Sequence, residues 1–219
     1  QNRGGKGIKG MQTREEDVVT KLFLSSNHSY LLYFTDMGRV YRTKTYNIPE
    51  AGRTAKGTPV VNIIEKSPEE KISEIIPVKE FSDNEYLVMV TKNGIIKKTP
   101  ASEYESIRKS GKIAITLKEG DELISIFKTT GNDNIFLATR NGMAICFNEN
   151  DARAVGRTAS GVKAIDLADG DYVVGAEPVR EDSKVLLVTD GGYGKCTDLT
   201  SFRIQHRGGK GLKAYKITE

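Results

Sequence analysis

Two short segments of this chain concentrate cations among glycines: Gln1-Asn2-Arg3-Gly4-Gly5-Lys6-Gly7, and a near copy, Gln205-His206-Arg207-Gly208-Gly209-Lys210-Gly211. Glycine reaches positive φ and has no side chain, so Gly4, Gly5 and Gly7 let backbone N–H groups close around an anion. Arg3 adds a planar fork of donors, Lys6 and Lys9 add point charges, and Gln1 and Asn2 add neutral donors. In the copy, His206 stands where the first segment has Asn2. Such a set holds phosphate oxygens and offers nothing that reads a base edge, so little sequence preference is expected.

Other chemistry is poorly provided for. His28 and His206 are the two histidines, one in a turn-like Ser-Ser-Asn-His-Ser and one inside the cationic copy, too few for a metal centre. Cys146 and Cys196 hold the same place in successive repeats, four residues after a turn glycine, and are expected to be unpaired core thiols of a reducing cytoplasm. Glu15-Glu16 and Glu69-Glu70 read as solvated turn charges. No Gly-x4-Gly-Lys-Ser/Thr loop occurs, so no nucleotide site, no metal site and no catalytic residue are expected.

The cationic loops sit in a repeat. A short apolar run, Thr-x-x-Gly and a second alternating run recur from Tyr30, Tyr86, Ile135 and Val185, with turn glycines Gly38, Gly94, Gly142 and Gly192 at steps of 56, 48 and 50. Each reads as a β-hairpin. Interleaved is Arg-x-x-x-Gly at Arg3–Gly7, Arg53–Gly57, Arg157–Gly161 and Arg207–Gly211, with a degenerate copy at Ile107–Gly111 whose arginine is displaced to Arg108. A third unit, an apolar alternation, appears at 17–25, 71–79, 121–129 and 171–179. One period therefore reads strand, hairpin, basic loop, strand. Four strands in about 50 residues, repeated, predict an all-β, propeller-like array of four-stranded blades, because one such sheet buries both faces only when neighbours stack on it.

Composition agrees, with 22 Gly against six Pro and no apolar run of the roughly 18–20 residues a membrane helix needs. The chain is expected to be an ordinary non-membrane protein, and Gln1, with no initiator Met before it, the edge of a fragment. Residues 1–14 and 199–218 together carry nine cations and no acid; subtracted from a net charge of +4, they leave the remainder at −5. A basic surface on a mildly acidic body suits a polyanion partner.

A Trp-Asp propeller is excluded by the lack of tryptophan and by the period, and a kelch array matches only at Gly191-Gly192. The segment Gln1–Gly7 closely resembles the seven-residue Gln-Arg-Arg-Gly-Gly-Lys-Gly box of the C-terminal domain of the DNA gyrase A protein. The resemblance extends over essentially the whole chain, through Gly38–Lys44, Ile48–Gly57, Asn93–Thr99, Gly111–Ile126 and Gly191–Lys195. Asn2 departs from the family's arginine, and five box positions stand where family members usually carry six blades.

The resemblance implies a single β-pinwheel domain over 1–219, about four repeats and a partial blade, that binds and wraps duplex DNA without chemistry of its own. It would serve a cytoplasmic, nucleoid-associated gyrase that supercoils DNA with ATP and Mg held elsewhere in the gyrase A and gyrase B proteins. The contacts expected are the two boxes together with Arg53, Lys56, Arg108, Lys109, Lys112, Arg157 and Lys163. Arg39, Arg42, Lys44, Lys97 and Lys98, on hairpin strands, either join that track or simply blunt exposed edges. The alternatives are the equivalent domain of topoisomerase IV, which usually lacks an intact box, and a propeller serving as a protein-interaction platform.

Overall fold

The computed structural model describes residues 3–11 and 18–217, so Gln1, Asn2, Arg14, Glu15 and Glu16 lie outside the described residues. Four hairpins form where the repeat predicts them: β1 (Tyr30–Thr35) with β2 (Arg39–Lys44), β4 (Tyr86–Thr91) with β5 (Ile95–Pro100), β8 (Asn134–Thr139) with β9 (Met143–Asn148), and β12 (Lys184–Val188) with β13 (Gly194–Asp198). The Thr-x-x-Gly signature has a mechanical cause. In every turn the glycine N–H donates to the threonine carbonyl, at 3.0, 3.1, 3.0 and 2.9 Å in chain order. The threonine Oγ1 accepts the N–H of the residue after the glycine, at 3.2–3.3 Å.

Three hairpins are completed to four-stranded antiparallel sheets by β3 (Ile72–Val78), β6 (Lys112–Ile113), β7 (Leu123–Thr129), β10 (Val162–Lys163), β11 (Val173–Pro178) and β14 (Leu212–Lys213). The orders are β3-β1-β2-β6, β10-β5-β4-β7 and β11-β8-β9-β14. The predicted period is correct as a count of strands but not as a unit of pairing. The edge strand after each basic loop crosses back to the preceding blade: β6, which follows hairpin β4–β5, pairs with β2 through Arg39↔Ile113 and Val40↔Lys112. Likewise β10 pairs with β5 and β14 with β9. This exchange of edge strands is the pinwheel, and it makes each box the link between two blades.

Alternate residues of a hairpin strand therefore face different neighbours. Leu87 and Met89 pack toward the first blade with Leu32 and Phe34, whereas Val88 and Val90 pack toward the third with Ile135 and Leu137. Phe136, Ala138 and Cys146 then meet Val185 and Leu187 of the fourth hairpin and Phe202 just beyond it. With both faces covered, even the cations of a central hairpin lose solvent: Lys97 and Lys98 are only 1% and 5% exposed, which fits neither a place on the basic track nor charges blunting an exposed edge.

Two further expectations are corrected at the array's ends. The first copy of the third unit is not a strand over residues 18–25, where Val18, Leu22 and Leu24 are exposed. Cys196 is exposed because β12 and β13 form only a two-stranded sheet, which also leaves Leu186 66% exposed; Cys146, in a complete blade, is buried, and burial pushes its thiol up. Among the described residues no helix is long and apolar enough to cross a membrane.

Candidate nucleic-acid interface

Each box begins as a turn at the surface, and the third, fourth and fifth lead into an edge strand of a neighbouring blade. At the outer end, Arg3 and Gly4 of the first box and Arg207 and Gly208 of the last occupy the same turn. Gly4 and Gly208 have φ of 86° and 83°, and Gly7 and Gly211 have 75° and 77°. The two boxes thus share a backbone as well as a sequence. The boxes at Arg53 and Arg157 carry Thr54 and Thr158 where the outer boxes have Gly4 and Gly208. Only the RGGKG segments have that second left-handed position.

At the inner end the box docks by a fixed pattern. Ala114 N–H donates to Gly38 O at 2.7 Å, Ala164 to Gly94 O at 2.7 Å, and Ala214 to Gly142 O at 2.8 Å, so the strand after each of the last three boxes rests on the turn of an earlier hairpin.

Successive boxes also bond to each other. Arg53 Nη1 donates to Lys9 O at 3.0 Å, Arg157 Nη1 to Ile113 O, and Arg207 Nη1 to Lys163 O at 2.9 Å. Every acceptor lies two residues beyond the glycine that closes the preceding box. Backbone bonds accompany them: Thr116 N–H to Ala159 O at 3.3 Å, Asp166 N–H to Gly209 O at 2.9 Å, and Gly208 N–H to Ala164 O at 2.6 Å. The chain leaving the second box reaches the third through Glu65 N–H, eight residues past Gly57, which donates to Lys109 O at 3.2 Å. The five basic corners consequently follow one another along one continuous edge of the blade array.

The expected ligands differ in how they sit on this edge. Arg3, Gly4, Gly5, Lys6, Gly7, Lys9, Arg53, Lys56, Arg108, Lys109, Lys163, His206 and Lys210 are exposed, while Lys112, Arg157, Gln205, Arg207, Gly208, Gly209 and Gly211 are half-buried. Lys163 bonds Asp166 Oδ1 at 3.0 Å, and this ammonium holds the Asp166 carboxyl below the usual carboxylate range. His206 Nδ1 lies 3.3 Å from Asp151 Oδ2, which also accepts Arg207 N–H at 3.0 Å. No cluster of three potential metal-ligating side chains occurs among the described residues.

Sequence reasoning missed the groups behind the edge. Lys97 Nζ donates to Ala114 O and Arg157 O, with Gly156 O at 3.4 Å, so one buried ammonium spans the third and fourth boxes. Burial pulls it from the ordinary 10.5 to about 7, with Arg157 adding to the effect and Glu103 opposing it. Glu70, 2% exposed rather than a solvated turn charge, accepts from Tyr41 Oη at 2.5 Å, Thr35 Oγ1 at 2.9 Å and Ser67 N–H at 2.8 Å.

Because the native Lys97 releases its proton near pH 7 and the unfolded one near 10.5, the unfolded state binds more protons between those values, and stability rises with pH there. Wild type should gain on Lys97→Met by up to about 1.4 kcal/mol per pH unit above pH 7, with a flat difference below it. Urea unfolding of both proteins from pH 6 to pH 9 measures this.

The comparisons with known proteins agree with this geometry. The family described as "DNA gyrase C-terminal domain, beta-propeller" matches residues 1–26, 29–79, 85–130, 133–180 and 183–219. The DNA gyrase A protein of Clostridium acetobutylicum is 53% identical over 163 residues, 74% of this chain and 20% of that protein. Its counterpart in Mycolicibacterium smegmatis is 43% identical over 165 residues, again 74% of this chain and 20% of its own length. The chain thus spans about a fifth of the curated relatives it matches. Among solved structures, the C-terminal domain of DNA topoisomerase IV gives a TM-score of 0.80 at 32% identity, covering 85% of this chain and 58% of that one. A DNA gyrase A C-terminal domain gives 0.79 at 26% identity, covering 100% and 71%.

Proposed function

This chain belongs to the DNA gyrase C-terminal domain family, and from that membership we propose that it binds duplex DNA along the edge of its five boxes and wraps it there. The observation that carries the reading is the continuity of the basic corners. Three of the four successive pairs of boxes are joined by an arginine-to-carbonyl hydrogen bond, so phosphate contacts recur at short intervals and not at isolated points. Duplex DNA carries one charge per about 1.7 Å of axis, and affinity comes mainly from neutralising those charges with release of counterions. Bending costs on the order of 1–6 kcal/mol for 20–30 base pairs, so a bent path holds only where each new stretch meets further cation.

In this reading the domain supplies no bond-making step. It is part of the gyrase A protein of a type II topoisomerase in the bacterial cytoplasm, at the nucleoid, and works with the gyrase B protein. Wrapped DNA is handed to the cleavage gate so that ATP-driven strand passage, with ATP and Mg bound elsewhere, yields negative supercoils. The topoisomerase IV domain is an equally good structural match, and the intact Arg3–Gly7 and Arg207–Gly211 segments are what favour gyrase.

The test is affinity for random-sequence duplex at rising salt. For six to ten phosphate contacts the expected loss between 50 and 200 mM is roughly 10³–10⁵-fold, linear on logarithmic axes. A flat response would reject the reading in favour of a protein-interaction platform.

A further inference from the structure

The box arginines make a bond that the DNA-wrapping reading does not require. In three boxes the same atom, Nη1, donates to the same acceptor, the carbonyl two residues past the preceding box's glycine. Arg207 is held further, its Nε donating to Asp151 O at 2.8 Å. A guanidinium presents two edges with paired N–H groups, one using Nε and one using Nη1, each with Nη2. With Nε and Nη1 both donating to carbonyls, two of the five N–H donors of Arg207 are committed, and its Nε edge keeps no free fork for phosphate.

The degenerate box supplies the contrast. Ile107 occupies the arginine position and is buried in the cluster of Tyr104, Ala114 and Leu123. The displaced Arg108 is exposed, with no hydrogen-bond partner for its side chain among the described residues.

We propose that Arg157 and Arg207 are staples of the rim, positioning residues that fix the spacing of neighbouring boxes through the preceding box's carbonyl, while Arg108 and the box lysines contact phosphate. This rests on the DNA-wrapping reading for its purpose, but not for its test. A staple orders the backbone bonds beside it. Those bonds are Thr116 N–H to Ala159 O at the seam held by Arg157, and Asp166 N–H to Gly209 O at the seam held by Arg207.

Amide hydrogen exchange on the free protein reads those bonds directly. In Arg207→Ala the Asp166 amide should exchange at least about tenfold faster with Thr116 unchanged, and in Arg157→Ala the reverse. Arg207→Lys, which keeps the charge, should exchange like Arg207→Ala. Binding of a 30-base-pair random duplex should keep its logarithmic salt slope within about 0.3 in these variants, whereas Arg108→Ala should lower it by about 0.9, one phosphate's worth. Unchanged exchange at Asp166 and Thr116, or a slope lowered by about 0.9 in Arg207→Ala, would overturn the staple. A flat slope in wild type would instead reject DNA binding and leave the exchange result to decide the staple by itself.

Discussion

Changing Arg3 and Lys6 together to Ala is expected to abolish the topological change that the bound domain leaves in a relaxed, nicked and religated DNA minicircle. Both side chains are exposed on a box whose backbone does not depend on them, since Gly4 and Gly7 set its turns. Stability should stay within about 0.5 kcal/mol of wild type, as for surface substitutions generally. The salt slope for a short duplex should fall by about 1.8, two phosphates' worth. The topological loss is larger than that slope implies, because a bend is held only while contacts outweigh its cost at every step. If the minicircle change survives in the double variant, the first box is a solvated turn and the track begins elsewhere.

Gly161→Ala is expected to be strongly destabilising. Gly161 has φ of 89°, and a Cβ there would overlap the Ile96 carbonyl oxygen and lie 3.0 Å from Ile95 Cγ2. The obstruction falls where β10 pairs with β5, through Val162↔Ile96 and Lys163↔Ile95, so the fourth box would be pushed off the second blade. Strain in the left-handed region and overpacking together suggest a loss of about 2–4 kcal/mol. Gly120→Ala is the control: its φ of 76° is similar, but nothing lies within 4 Å of the added carbon, so strain alone should cost about 1 kcal/mol. Urea unfolding of the two variants separates close approach from backbone strain, and equal losses would show that the box does not dock through Gly161.

What was legible in the chain is what local chemistry fixes. A Thr-x-x-Gly turn needs its threonine hydroxyl and its left-handed glycine within four residues, so Gly38, Gly94, Gly142 and Gly192 marked every hairpin. The boxes were legible for the same reason. Long-range pairing was not. The edge strand Lys112–Ile113 is two residues long, and nothing in its sequence says that it joins β2 and not the hairpin just before it. Burial of Lys97, Lys98 and Glu70 depends on that exchange, which closes both faces of each central blade, and Cys196 is exposed because the fourth hairpin lacks flanking strands. The double use of Arg157 and Arg207 was hidden as well, because the acceptor carbonyls lie 44 residues away.

The central claim is that the basic corners form one curved path for a double helix. End-to-end energy transfer across a random-sequence duplex of about 100 base pairs, shorter than the roughly 150-base-pair persistence length, tests it most directly. The dyes should approach one another on binding at low salt and separate again as salt rises. A complex that forms while its DNA keeps the end-to-end distance of free duplex would contradict the claim.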